Sequence, residues 1–175
     1  ERAMETVFSG NPWTTSFTED SFGNIWIGTY RNGTFCFHKN QTPFQKSMSG
    51  KNIECMSTDH SGNYWIGSLN GEVCVLDSTQ KQIMGKTIFP NDMIHTICGQ
   101  ESSNKVWVGT MYGLYEAWIE SNKQIVYQKT SGINIPSIRS IVQDSCFLWI
   151  ASYNNGVTLY NYSTQQSVVT YKTDS

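Results

Sequence analysis

Residues 20–29 read DSFGNIWIGT, and residues 59–68 read DHSGNYWIGS. Both carry Asp, two residues, Gly, Asn, an apolar residue, Trp, Ile, Gly and a hydroxyl residue. An active site needs its motif once, whereas a structural repeat must restate its turn and packing residues in every unit. The recurrence therefore speaks for architecture. Trp26, Trp65, Trp107 and Trp149 each follow an apolar residue and precede Ile or Val, at intervals of 39, 42 and 42 residues. The chain thus holds four copies.

Two further landmarks keep the same period. One is an apolar-x-x-apolar-x-x-polar start, in Ile53, Met56, Asp59, in Ile94, Ile97, Gln100 and in Ile138, Ile141, Asp144, with a weaker form in Thr14, Phe17, Asp20. The other is a glycine after the Trp strand, at Gly33, Gly71, Gly113 and Gly156. The copies deviate mainly in turns, where insertion is cheapest. Gln100 stands for Asp, ESSNK is one residue longer, SCF is shortened, and Ala151 replaces the Gly of Trp-Ile-Gly.

The second copy predicts four strands, Ile53 to Thr58, Asn63 to Ser68, Glu72 to Asp77 and Gln82 to Phe89, joined by turns such as HSGN and LNG. In Asn24 to Thr29 both faces of the strand are apolar or small, so the sheet is covered on both sides. Four-stranded antiparallel units of about 40 residues, buried on both faces, are blades of a β-propeller. The Trp fills the space between blades, and the Gly two residues later leaves room for it or for a close backbone approach. The carboxylate of the repeated Asp (Asp20, Asp59, Asp144) is expected to accept backbone N–H bonds in its turn.

The expected fold class is all-β, a partial propeller over 1–175. Residues 1–12 hold the outer strand of a preceding blade (Glu5 to Phe8) and a linker. Residues 13–50, 51–91, 92–134 and 135–175 form blades 1 to 4. The last copy has its own outer strand in Ser167 to Lys172, which makes five outer-strand candidates for four blades and suggests a segment of a longer array. An open array leaves an apolar face at each end, so self-association through these faces is expected, two fragments closing one ring.

The string apolar-x-x-apolar-x-x-Asp-x-x-Gly-x-apolar-Trp-Ile-Gly-Thr resembles the two-component regulator propeller repeat, most clearly over Asp20 to Thr29 and Asp59 to Ser68. The resemblance implies the extracytoplasmic sensor region of membrane-spanning, often hybrid, histidine kinases of gut Bacteroidetes that detect polysaccharide fragments. It implies a periplasmic location, a membrane-anchored parent chain, an oligosaccharide ligand and no catalysis in this segment. The Trp-Asp dipeptide of WD repeats and the paired glycines of kelch are absent. A lyase of the streptogramin-inactivating type shares a related Asp-x-x-Gly-x-x-Trp rhythm and is the enzyme alternative. A purely structural or dimerising propeller is the third.

With a net charge of −2, 15% charged residues and no block of like charge, nucleic acid is not an expected partner. His38, His60 and His95 show no ligand spacing, and no metal, cofactor or catalytic residue is expected. Asp59, His60 and Ser61 are consecutive on a tight turn, where side chains diverge instead of forming a relay. The five cysteines, odd in number and without Cys-x-x-Cys, are expected as buried free thiols. In an up-and-down blade the start of the first strand and the connection between the second and third strands share one end of the sheet. That rim carries Tyr30, Arg31, Asn32, Asn70, His95, Tyr112, Arg139, Tyr153 and Asn154. Rings beside amides and guanidinium groups suit sugars, whose C–H faces stack while their hydroxyls take hydrogen bonds.

Overall fold

The computed structural model describes residues 13–20, 22–37, 45–47, 50–77, 79 and 81–172. The proposed strand at Glu5 to Phe8 lies outside them. The described residues form sixteen strands: β1 (Thr14–Glu19), β2 (Ile25–Thr29), β3 (Gly33–Phe37), β4 (Gln45–Ser47), β5 (Ile53–Thr58), β6 (Tyr64–Ser68), β7 (Glu72–Leu76), β8 (Gln82–Thr87), β9 (Ile94–Gly99), β10 (Lys105–Thr110), β11 (Leu114–Ile119), β12 (Ile125–Lys129), β13 (Ile138–Asp144), β14 (Phe147–Ser152), β15 (Gly156–Asn161) and β16 (Gln166–Tyr171). They pair antiparallel in chain order as four four-stranded sheets. The fold is a partial β-propeller. First strands of successive sheets lie side by side, β1 against β5, β5 against β9 and β9 against β13.

The seams between sheets hold the core. Trp26 of blade 1 packs with Tyr64, Ile66 and Cys74 of blade 2. Trp65 packs with Ile97, Val106 and Val108 of blade 3, and Trp107 with Ile138, Leu148 and Ile150 of blade 4. Each Trp thus covers the blade that follows it. All five cysteines are free; Cys36, Cys55 and Cys74 are buried as expected, while Cys98 and Cys146 are only half-buried, and burial pushes the thiols of Cys36 and Cys74 up to about 11, aided by nearby Asp20 and Glu72 respectively.

The glycine two residues after each Trp has a more specific task than the sequence suggested. A Cβ on Gly28 would lie 2.9 Å from Ile53 Cγ2, on Gly67 2.8 Å from Ile94 Cγ2, and on Gly109 2.5 Å from Ile138 Cγ2. Each glycine makes room for the isoleucine that opens the next blade, not for its own Trp. The landmark glycines at 33, 71, 113 and 156 all have positive φ (82°, 75°, 143° and 74°), which the turn into the third strand requires.

The repeated Asp is a hub. Asp20 Oδ1 accepts from the backbone N–H of Phe22 and Asn24, both at 2.9 Å. Its Oδ2 accepts from Asn24 Nδ2 at 2.9 Å, Trp26 Nε1 at 3.2 Å and Tyr64 Oη of the next blade at 2.5 Å. Burial alone would raise its pKa, but the bonds from Tyr64, Asn24 and Trp26 outweigh it and hold the carboxyl at about 2. Asp59 repeats the pattern with Asn63 and Trp65 Nε1. In the third copy Gln100 instead bonds Glu116 and Ser103, and the buried Trp107 Nε1 finds no partner among the described residues. Asp144 departs from expectation: in its shortened turn it is exposed, and its described bond is from the Ser145 hydroxyl at 3.4 Å.

Candidate functional site at the inner rim

The start of each first strand and the turn between second and third strands do share one end. Backbone bonds run from Tyr30 N–H to Trp13 O, from Met111 N–H to Met93 O, and from Tyr153 N–H to Ser137 O. A bond from Ser137 N–H to Met111 O ties the rims of blades 3 and 4 together.

A feature that periodicity did not reveal shapes this rim. In all four blades the pairing of first and second strands slips at one place, between Thr14 and Ser16, Ile53 and Cys55, Ile94 and Thr96, and Ile138 and Ser140. The residue passed over is Thr15, Glu54, His95 or Arg139. A bulge leaves its extra residue unpaired and re-aims its side chain. Four bulges in register on adjacent inner strands therefore set a hydroxyl, a carboxyl, an imidazole and a guanidinium in a row.

These groups meet. Arg139 donates from one guanidinium N–H to His95 Nδ1 at 3.0 Å, and Glu54 Oε1 lies 3.8 Å from the same nitrogen. Arg139 Cζ stands 5.6 Å from the centroid of the Tyr153 ring, a cation–π arrangement. Thr15 Oγ1 donates to Ile53 O at 2.6 Å. Because Arg139 can only donate, Nδ1 is the accepting nitrogen and the imidazole is neutral with its proton on Nε2. Burial, then the Arg139 charge, lowers the His95 pKa against the opposing pull of Asp92. Burial raises the pKa of Glu54, and Arg139 partly offsets it. Among the described residues the buried His95 Nε2 has no hydrogen-bond partner.

One consequence is open to a titration. The NMR midpoint of His95 should fall below the ordinary value of about 6.5, and Arg139→Ala should move it upward by removing both the charge and the donor on Nδ1. A midpoint indifferent to Arg139→Ala would show that burial alone sets the imidazole's charge.

Of the nine expected rim residues, His95, Arg139 and Tyr153 come together. Tyr30 and Arg31 form a second group, with Arg31 Cζ 5.0 Å from the Tyr30 ring centroid and Trp13 6.1 Å from it on the other side of the pairing. Among the described contacts, Asn32, Asn70, Tyr112 and Asn154 join neither group. Asn70 accepts from the Ser68 hydroxyl within its own turn, and the Tyr112 carbonyl accepts from Lys129 Nζ at 3.1 Å. Asn154 has φ 66°, a left-handed position for which Asn is a favoured residue. Tyr112 and Tyr153 are exposed by 61% and 62%, so both rings are available as platforms. Thr15 and Glu54 were missed, and the signal that could have found them is their shared place, second in each first strand, beside His95 and Arg139.

At the opposite end a shallow groove runs between the first turns of blades 1 and 2, lined by Asp20, Phe22, Asp59, His60 and Ser61. Its carboxylates are committed to the hubs described above. Ser61 Oγ donates to Asn104 of blade 3 instead of to His60. Among the described residues no group of three His, Cys, Asp or Glu side chains could hold a metal ion.

The family model described as "Two component regulator propeller" matches residues 8–31. No curated protein matches the chain. Among solved structures it is similar to the extracellular domain of a hybrid two-component system of B. thetaiotaomicron, with 24% identity and a TM-score of 0.73 over 97% of this chain and 23% of that one. It is also similar to the extracellular domain of a one-component system of the same organism, with 22% identity and a TM-score of 0.66 over 89% of this chain and 21% of that one. The Swd1 β-propeller domain of Myceliophteria thermophila follows with 10% identity and a TM-score of 0.64, over 83% of this chain and 54% of that one. At these identities the likeness is one of fold, and the chain spans less than a quarter of the two bacterial domains.

Proposed function

We propose that this chain is a ligand-sensing propeller segment of a two-component sensor, acting outside the cytoplasmic membrane without catalysis of its own. The repeat family supports the sensor role, and the bacterial extracellular domains that share the fold support the location. In this reading the parent chain is a membrane-anchored, periplasmically exposed histidine kinase, and the ligand is an oligosaccharide.

The observation that carries the ligand is the Glu54, His95, Arg139 and Tyr153 cluster. Tyr153 offers a ring face for a sugar's C–H face, and Arg139 keeps most of its N–H donors after giving one to His95. Glu54 accepts hydroxyls. The bulges hold Glu54, His95 and Arg139 on strands instead of on loops, which fixes their geometry before a ligand arrives, while Tyr153 stands on the turn between β14 and β15. Binding at the seam of blades 3 and 4 would favour one packing of the two sheets, and a population shift would pass to the membrane helix.

A thermal-shift screen of the intact ectodomain against soluble oligosaccharides tests this, because a ligand that binds the native state raises the melting temperature by mass action. A selective shift is expected. Replacing Tyr112 and Tyr153 together by Ala should weaken that sugar at least about tenfold, the loss of about 1.4 kcal/mol of stacking and packing. Binding that survives the double replacement would place the site elsewhere, and no shift with any sugar would leave a protein ligand or a structural role.

A further inference from the structure

We propose that Glu54, His95 and Arg139 form a proton-operated switch at the rim: a proton arriving between Glu54 and His95 expels Arg139 from the imidazole and frees its guanidinium. The exchange of hydrogen bonds needs no ligand, while its use, to regulate ligand binding at this site, rests on the sensor reading. The three residues belong to the inner strands of three successive blades, β5, β9 and β13, so both seams that the switch crosses lie within this chain.

The geometry at Nδ1 carries the inference. The unprotonated nitrogen of a neutral imidazole has one lone pair and accepts one hydrogen bond. Arg139 fills it from 3.0 Å. Glu54 Oε1 stands 3.8 Å from the same nitrogen, outside hydrogen-bond range, as two acceptors with no proton between them must. A proton on Nδ1 makes an imidazolium that donates to Glu54. A proton on Glu54 makes a carboxyl that donates to Nδ1. In both cases the lone pair is used, and a closing movement of about 1 Å brings the pair to the distance of a charge-assisted bond. Arg139 can only donate, so in both cases it must leave. Because Nε2 has no partner among the described residues, no second hydrogen bond has to break when the ring changes partner.

Three charges face the imidazole: Glu54 from β5, Arg139 from β13 and Asp92 from the segment that leads into β9. The carboxylates favour a proton on the ring, and burial and Arg139 oppose it. Burial lowers the pKa of His95 and raises that of Glu54, so the two affinities converge and the pair takes up its first proton as a unit. Arg139 is then left with the Tyr153 ring of its own blade, 5.6 Å away. The side-chain link from blade 3 to blade 4 opens, every guanidinium N–H becomes available to a ligand, and the trio passes from neutral to singly positive.

Hydrogen–deuterium exchange at the imidazole C2 position of the intact ectodomain, read by mass spectrometry, gives the midpoint of His95, with the exposed His60 as control. Glu54→Gln keeps the shape but removes the counter-charge, and should lower that midpoint by about one pH unit or more. A midpoint indifferent to Glu54→Gln would overturn the switch. Crystal structures of the unmodified ectodomain on the two sides of the midpoint test the exchange without a variant. Below it Glu54 should reach Nδ1 and Arg139 should not, and an Arg139 still bonded to the imidazole would overturn the proposal. The regulatory use has its own readout. A sugar found by thermal shift should bind about fivefold or more tightly below the midpoint than above it. Equal binding on both sides would overturn regulation and leave the sensor reading intact, whereas no shift with any sugar at either pH would sink the sugar reading and its regulation but not the exchange.

Discussion

Asp20→Asn should lower the stability of this chain by about 2–4 kcal/mol, a loss of about 5–15 °C in melting temperature for a domain of this size. Asparagine fits the same volume but turns one of the two accepting oxygens into a donor. Oδ1 serves the backbone N–H groups of Phe22 and Asn24, while Oδ2 serves Asn24 Nδ2, Trp26 Nε1 and Tyr64 Oη. Whichever way the amide turns, an NH₂ faces at least two donors. With the NH₂ at the Oδ2 position, Trp26 and Tyr64, 1% and 3% exposed, lose an acceptor that water cannot replace and bear a desolvation cost of about 1–3 kcal/mol each; with it at the Oδ1 position the two backbone donors of the turn lose theirs. The loss also crosses a seam, because Tyr64 belongs to blade 2.

The chain carries its own comparison. Gln100 occupies the same place in blade 3 and leaves Trp107 Nε1 without a partner, so Gln100→Ala removes only bonds to Ser103 and Glu116. Its cost should be about 1 kcal/mol, well under that of Asp20→Asn. Equal losses at the two positions would refute the hub. Acid gives the same result without mutation. The folded-state pKa of Asp20, about 2, lies below the ordinary carboxyl value of about 3.9. A depressed folded pKa contributes stability that is complete above the unfolded value and is lost as pH falls through the folded one. The contribution should thus fade between about pH 4 and about pH 2, and Asp20→Asn should flatten that limb of the pH–stability curve.

What the sequence revealed and what it hid divide along the range of the interactions. The four Trp positions, the turn glycines and the alternation of both-face-buried strands are local patterns, and every one of the predicted strands of blade 2 forms, β6 to β8 one or two residues shorter than read. The Asp to Trp spacing was visible too, but Tyr64, the donor that completes the hub, sits 44 residues away on another blade. No local pattern announces it. Likewise His95 and Arg139 look like unrelated polar residues at strand starts until adjacent inner strands set them 3.0 Å apart. The bulges stayed hidden because one extra residue near a strand start barely disturbs an alternation in which both faces are apolar. Asn154, read as a rim residue from its place between the second and third strands, also has a left-handed φ, a local turn role that the sequence pattern did not separate from a rim position.

The glycine–isoleucine contacts between blades carry the other large expected effect. Gly109→Ala should destabilise the chain by about 1–3 kcal/mol, the range for overpacking a tight core. The new Cβ would lie 2.5 Å from Ile138 Cγ2, 2.6 Å from Thr96 Cγ2 and 3.1 Å from Ile138 Cβ. Neither β-branched neighbour can swing aside, since each has few rotamers and Ile138 is fully buried. Ile138→Ala alone should cost about 2–5 kcal/mol by opening a cavity. Combined, the two should cost less than their sum by about 1–2 kcal/mol, because the added methyl enters the space that the isoleucine vacates. Denaturant melts of the four proteins give that coupling directly. Strict additivity would mean that the glycine serves its own strand's backbone and not the neighbouring blade. A coupling of this size would show that the glycine and the isoleucine share one volume across the blade seam.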